Sequence, residues 1–262
     1  MSGDTPPPEP SGGTDYQSYL LIDDLLDLQR PLTSGAEDEM LFIVVHQSYE
    51  LWFKLVLHEL EGARDALAAG APWRAVRRLE RVIAAEKLLL HHLEVLETMS
   101  PEGFFVFRDP LAPASGFQSV QFREIELLSG GLGPSPGAVA GRSRSGRLAA
   151  RAAEPTLWDA TVAALVERGL VADGSDDDEL TAAVAAVYRR HDDPTLAWFH
   201  QLFERLVDHD ELVSRWRHDH MLMAAREIGG RPGTGGSLGV AYLARTLEKR
   251  FYPILWKVRT AL

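Results

Sequence analysis

Chemistry-bearing side chains stand out in a few segments of this chain. His46 lies within Phe42-Ile-Val-Val-His-Gln-Ser-Tyr-Glu-Leu-Trp-Phe-Lys54. From Met40 to Leu57 no helical face is consistently polar, so a helix here is expected to be buried. Phe42 stands one turn before His46, and Tyr49 and Phe53 follow at i+3 and i+7 on the same side. A titratable ring walled by aromatics needs a partner, either a structural hydrogen bond or a ligand. Phe104-Phe-Val-Phe-Arg108 sets an arginine after an apolar run, and its planar fork of donors suits a carboxylate. A surface or helix-capping arginine is the alternative.

In Trp216-Arg-His-Asp-His220 the two histidines are two residues apart, about 200° around a helix, so they cannot share one metal. His220 follows Leu212 and Trp216 at i−8 and i−4 and precedes Met221 and Met223, which aligns it with an apolar stripe. His218 is expected to face solvent. No His-Glu-x-x-His pattern accompanies them, which argues against a hydrolytic zinc site. Gly233-Thr-Gly-Gly-Ser237 can present backbone N–H groups and a hydroxyl to an anion. It lacks the lysine and spacing of a phosphate-binding loop, and a plain helix–helix loop is the more common explanation of such a stretch. Two inward histidines in a helical, cysteine-free, aromatic-rich chain suit a non-covalent haem, and they also suit an ordinary core.

The elements that must position these residues read as helices throughout. Residues 1–14 are Pro, Gly and small polar residues with nothing to bury, and are expected to be disordered. Helices are predicted over about 18–30, over 36–69 entered through Ser34, and over 72–99 with Pro72 near the first turn. Ser100 to Ser115, with Pro101, Gly103, Pro110 and Pro113, reads as an irregular connection. A helix over 116–129 is followed by a Gly/Pro/Ser break and then by Arg142, Arg144, Arg147 and Arg151, read as a solvated loop. Shorter helices are predicted over 155–169 and 176–190. A long one opens at Asp193-Pro194 and runs to Ile228. After Gly229–Gly239 a final helix takes the chain to its end. With no period-2 alternation, hairpin signal or repeat, the fold class is all-α, with residues 15–262 as a single domain of long packed helices.

Composition narrows the functions. The 262 residues carry a net charge of −11, which lacks the basic footprint that a nucleic-acid binder needs. There is no cysteine, which removes disulfides, thiolate nucleophiles, Cys-ligated zinc, iron–sulfur clusters and covalent c-type haem together. No signal peptide or membrane-spanning apolar run is read, so no membrane partner and a cytoplasmic location are expected.

Taken together, the motifs resemble the tryptophan 2,3-dioxygenase family. The carrying segments are Tyr16-Gln-Ser-Tyr-Leu20, Leu41 to Lys54, Phe107-Arg-Asp-Pro-Leu-Ala-Pro-Ala-Ser-Gly-Phe-Gln-Ser119, Trp216 to His220 and Gly233 to Ser237. They stand in the family's order and spacing over about residues 15–262. The resemblance implies a cytoplasmic, homotetrameric enzyme with non-covalent haem b, active as ferrous iron. Such an enzyme inserts both atoms of O₂ across the indole C2–C3 bond of L-tryptophan, giving N-formylkynurenine.

By position, the resemblance implies that His220 is the axial iron ligand and that His46 meets the indole N–H. Phe42 would wall the indole, Arg108 would clamp the substrate carboxylate and Thr234 would meet its ammonium group. Phe104 stands where relatives carry Phe or Tyr. Ser115 and Gly116 would run beside the haem edge and substrate, and Arg123 would face a haem propionate. Tyr16, Tyr19 and Leu20 match a segment that reaches into a neighbouring subunit's site. One departure is Leu238, where the family commonly has a second small polar residue. Two other readings are a related haem monooxygenase acting on a tryptophan derivative, such as a β-methylated one, and a non-catalytic haem or oxygen sensor.

Overall fold

Three long helices set the frame, and their apolar spacing explains why. In the computed structural model, which describes residues 15–130 and 145–262, α3 spans Glu39–Ala68, α4 spans Pro72–Leu96 and α10 spans Ala197–Ile228. Along α4, Ala75, Val76, Leu79, Val82, Ile83, Glu86, Leu89, Leu93 and Leu96 form one face at three- and four-residue steps, apolar but for Glu86, and are all buried. This stripe lets α4 lie between α3 and α10 and pack extensively on both. Because α3 and α10 do not pack closely on each other, side chains from both can face a shared space.

The remaining helices, in chain order, are α1 (Tyr16–Leu20), α2 (Ile22–Leu26), α5 (Pro101–Leu111), α6 (Val120–Ser129) and α7 (Ser145–Ala152). They continue with α8 (Leu157–Glu167), α9 (Asp177–Arg189), α11 (Val240–Ala244) and α12 (Pro253–Lys257). No strand occurs among the described residues, and the fold is all-α as expected.

Several boundaries differ from the sequence reading. The segment from Pro101 to Leu111 is a helix: Ser100 caps it by accepting from the Gly103 N–H at 3.0 Å, and Pro101 takes the first turn, where its missing N–H costs nothing. Arg108 therefore sits on a helix and not on an irregular connection. The first helix is split by Leu21, whose left-handed backbone (φ 52°) separates α1 from α2. The long helix α3 starts at Glu39, and Ser34 does not cap it. Instead the buried Glu39 carboxylate accepts from the amides of Leu32 and Thr33, both at 2.8 Å.

The last long helix begins at Ala197 because Asp193 is engaged elsewhere, accepting from the Thr195 amide and hydroxyl and from Arg190. The chain end is α11, α12 and a 3₁₀ turn over Val258–Ala261, not one helix, with Pro253 opening α12. Within the arginine-rich stretch, Arg147 and Arg151 belong to α7 and pair with Glu124 and with Glu61 and Glu154. That pairing replaces the expected solvated loop. Arg142, Arg144 and residues 1–14 lie outside the described residues.

The helix bearing His46 is also not buried all round. Met40, Val44, Leu51 and Leu55 are exposed on its outer side, while Val45, Tyr49, Phe53 and Val56 face the core. By length and composition α3 is apolar enough to cross a membrane, contrary to the sequence reading. Its inner face packs along α4, and the buried Glu59 near its end is held by Arg78 and Arg81.

Candidate functional site

Between α3, α5, α6 and α10 lies a cavity of about 1080 Å³, closed on one side by the 229–239 segment. His46 and His220 both line it, one from α3 and one from α10. His46 Nδ1 lies 2.7 Å from the Phe42 carbonyl oxygen, one turn back on its own helix. A carbonyl only accepts, so Nδ1 carries the proton and Nε2 keeps its lone pair. Burial lowers the pKa of His46, outweighing the opposing effects of the Phe42 carbonyl and Glu50. The ring is thus a neutral acceptor at physiological pH. Phe42 packs at 3.9 Å from it between ring centres, and Phe104 and Phe107 follow at 6.0 and 5.5 Å from Phe42.

His220 is stacked on Trp216, with centroids 5.0 Å apart and planes 27° from parallel. Its pKa falls to about 4, first through burial and second through its proximity to His46. His218, two residues earlier, has a side chain 54% exposed, as its helical phase predicts. Among the described residues no group of three or more His, Cys, Asp or Glu is arranged to hold a metal. A metal at His220 would need to bring its other ligands with it.

Arg108 lines the cavity from α5 with its side chain only 17% exposed. One Nη donates to the Pro232 carbonyl at 2.6 Å, tying α5 to the 229–239 segment, while the buried Nε has no partner. Thr234, in that segment, donates its hydroxyl to the Ala114 carbonyl at 2.6 Å. With its hydrogen committed, the Thr234 oxygen is left as an acceptor. The segment comes so close that a Cβ on Gly235 would stand 2.6 Å from the Ser115 Cβ. Ser115 and Gly116 line the same cavity, whereas Leu238 is 64% exposed and lies outside its wall. The departure at Leu238 therefore leaves Thr234 in place.

Arg123 lines the cavity and is paired with Glu126 at 2.5 Å. The sequence reading missed the rest of this group: Arg217 reaches the same carboxylate at 2.9 Å and the Lys249 carbonyl at 3.2 Å. Burial lowers the pKa of Lys249, opposed by Glu126 and assisted by Arg217 and Arg123. Arg123 and Arg217 thus line the cavity with one carboxylate, Glu126, between them, and guanidinium groups so placed suit an anion. The signal available in sequence was Arg217 at i−3 from His220, on the inward side of α10. Tyr16, Tyr19 and Leu20 do not reach this cavity; they are exposed at the surface of α1.

The arrangement fits haem. It offers one half-buried neutral imidazole that could hold the iron, apolar and aromatic walls from Phe42, Leu93, Phe104 and Met223, and arginines for carboxylates. The same cavity also holds a second neutral imidazole with its Nε2 as acceptor and a guanidinium, groups suited to an N–H and a carboxylate of one small ligand.

Comparison with known proteins agrees. A tryptophan 2,3-dioxygenase family model matches residues 3–135 and 154–262. A tryptophan 2,3-dioxygenase of Nocardioides is 46% identical over 258 residues, covering 94% of each chain. Those of Herpetosiphon aurantiacus and Caulobacter vibrioides are 43% and 41% identical, each covering 94% of this chain and 98% of theirs. Matched over nearly its whole length, with its helices converging on a site of this composition, the chain belongs to the tryptophan 2,3-dioxygenase family.

Proposed function

We propose that the protein is a haem b-dependent dioxygenase that converts L-tryptophan and O₂ to N-formylkynurenine, in the cytoplasm and as a homotetramer. The observation that carries this reading is the pair of half-buried, neutral histidines lining one cavity together with Arg108 and Thr234. Haem, when bound, supplies the ferrous iron that activates O₂. His220 would hold the iron, and Arg123, with Arg217 beside it, would hold a propionate.

The chain's own residues bind and orient the substrate. His46 Nε2 accepts from the indole N–H. It acts as a positioning acceptor, because an indole N–H is too weak an acid to be deprotonated by a neutral imidazole near pH 7. Arg108 meets the carboxylate with the donors left beyond its Pro232 bond, including the unpartnered Nε. Thr234 accepts from the ammonium group. Phe42 and Phe104 pack on the indole and keep water from it. The 229–239 segment links these contacts, since Arg108 grips it and it carries Thr234. Tyr16, Tyr19 and Leu20 would complete the site of a neighbouring subunit.

The test is product mass after turnover of the ferrous protein with tryptophan under ¹⁸O₂. Ring-opened product with both labelled atoms is expected. One labelled atom would replace this reading with monooxygenation, and haem binding without turnover would point to a sensor.

A further inference from the structure

We infer that Tyr49 is a positioning residue for the His220 imidazole, acting through Trp216. This rests on the reading of His220 as the axial haem ligand. A metal-bound histidine ordinarily has its second ring nitrogen fixed by a carboxylate, a carbonyl or water. Among the described residues, no side chain or backbone carbonyl hydrogen-bonds the His220 ring. What touches it is the Trp216 indole, stacked at 5.0 Å and 27° one turn earlier on α10.

That indole is itself held. Its Nε1 donates to the Tyr49 hydroxyl oxygen at 3.2 Å, and the Tyr49 hydroxyl donates onward to the Leu89 carbonyl at 2.6 Å. Each group uses its donor once, so the chain from α4 through α3 to α10 has one direction: Trp216 to Tyr49 to Leu89. Phe122, at 5.0 Å from Trp216, and Phe53, at 5.8 Å from Tyr49, limit other rotamers of both rings. Tyr49 is buried and burial raises its pKa, so its hydroxyl keeps the proton that it donates.

The placement has a functional consequence. Tyr49 lies three residues after His46, so one helix sets both the imidazole facing the substrate and, at one remove, the orientation of the imidazole on the iron. A ring steered by stacking in place of a carboxylate has no acceptor to draw off its second proton, so it would meet the iron as a neutral imidazole.

The holoenzyme tests this with Tyr49→Phe, which removes one oxygen and keeps the ring's packing, and with Trp216→Phe, which keeps a stacking ring and removes the N–H. Both are expected to shift or broaden the ferrous iron–histidine stretching band and to speed haem dissociation about 10-fold. The double variant should do no more than the larger single change, because both cut the same chain. A Tyr49→Phe band and dissociation rate at wild-type values, whatever its melting temperature, would overturn the inference, as would additive effects. His220→Ala separates the two claims. If it keeps wild-type axial ligation, the reading of His220 falls and this inference with it. If it loses ligation while Tyr49→Phe matches wild type, only the role of Tyr49 falls.

Discussion

At the residue scale, the protonation of His46 makes the first prediction. Its pKa lies below the ordinary imidazole value of 6.5, chiefly through burial, and only the neutral ring can accept from an indole N–H. KM for tryptophan should therefore be flat from pH 8 down to the ordinary imidazole value of 6.5 and rise only below it. A KM that climbs already between pH 7.5 and 6.5 would show that the ring is not shielded as described. Arg108 makes the second. Arg108→Ala should raise KM for tryptophan about 100-fold while leaving 3-methylindole binding nearly unchanged, because only tryptophan offers the carboxylate. Glu227 makes the third, and it concerns stability. It is 4% exposed, neither oxygen has a partner, and burial raises its pKa, with Glu97, Asp38 and Glu102 adding to the rise against Arg226. A raised carboxyl pKa means that the folded state holds the proton longer than the unfolded state does. The protein thus loses stability as pH rises from the ordinary 4.5 through the raised value. Glu227→Leu should stabilise the fold by about 1–3 kcal/mol at pH 7 in denaturant titration. A destabilised variant would reveal a partner for the carboxyl.

At the element scale, the helices that carry the chemistry were legible because their apolar residues keep a helical period and their ends carry recognisable caps. The histidines could be placed by phase alone, and His218 and His220 fell on the sides expected of them. What could not be read was tertiary in origin. Pro101, Gly103 and Pro110 look like breakers in isolation, yet Ser100 and the position of Pro101 turn them into a helix start. Asp193 looks like a cap, but its carboxylate is taken by Thr195 and Arg190. The chain end breaks into short pieces because a buried aspartate organises it. Asp210 on α10 accepts from the amides of Phe251 and Tyr252 and from Trp256 Nε1, at 2.9–3.2 Å. Nothing in the local sequence around Asp210 announces partners some forty residues away. Asp210→Ala leaves those donors without their acceptor and should cost about 3 kcal/mol of stability. Because α12 packs on α9 as well as α10, the loss should appear first as faster amide exchange in residues 251–258. Uniform exchange across the whole chain would refute a local anchor.

At the scale of the whole molecule, the exposed apolar residues are the feature that a single chain leaves unexplained. Tyr16, Tyr19, Leu26 and Leu32 are each about 70% exposed, and Met40, Val44, Leu51 and Leu55 line the outer side of the helix that carries His46. Apolar surface on this scale, contributed by the N-terminal segment and by α3, is what the proposed oligomer would cover. Tyr16, Tyr19 and Leu20, which the family resemblance assigns to a neighbouring subunit's site, lie in that same segment and do not line this chain's own cavity. If the segment serves a neighbour, two inactive variants should repair each other. A chain lacking residues 1–28 keeps His46 but offers no segment, whereas His46→Ala offers a segment but has no acceptor for the indole. Each alone should be nearly inactive. Assembled together from equal amounts, random mixing gives about a quarter of the sites an intact His46 and an intact neighbouring segment, so activity should return to about that fraction of wild type. No recovery in mixed oligomers confirmed by mass would mean that the segment acts within its own chain, and the exposed face of α3 would then need another partner.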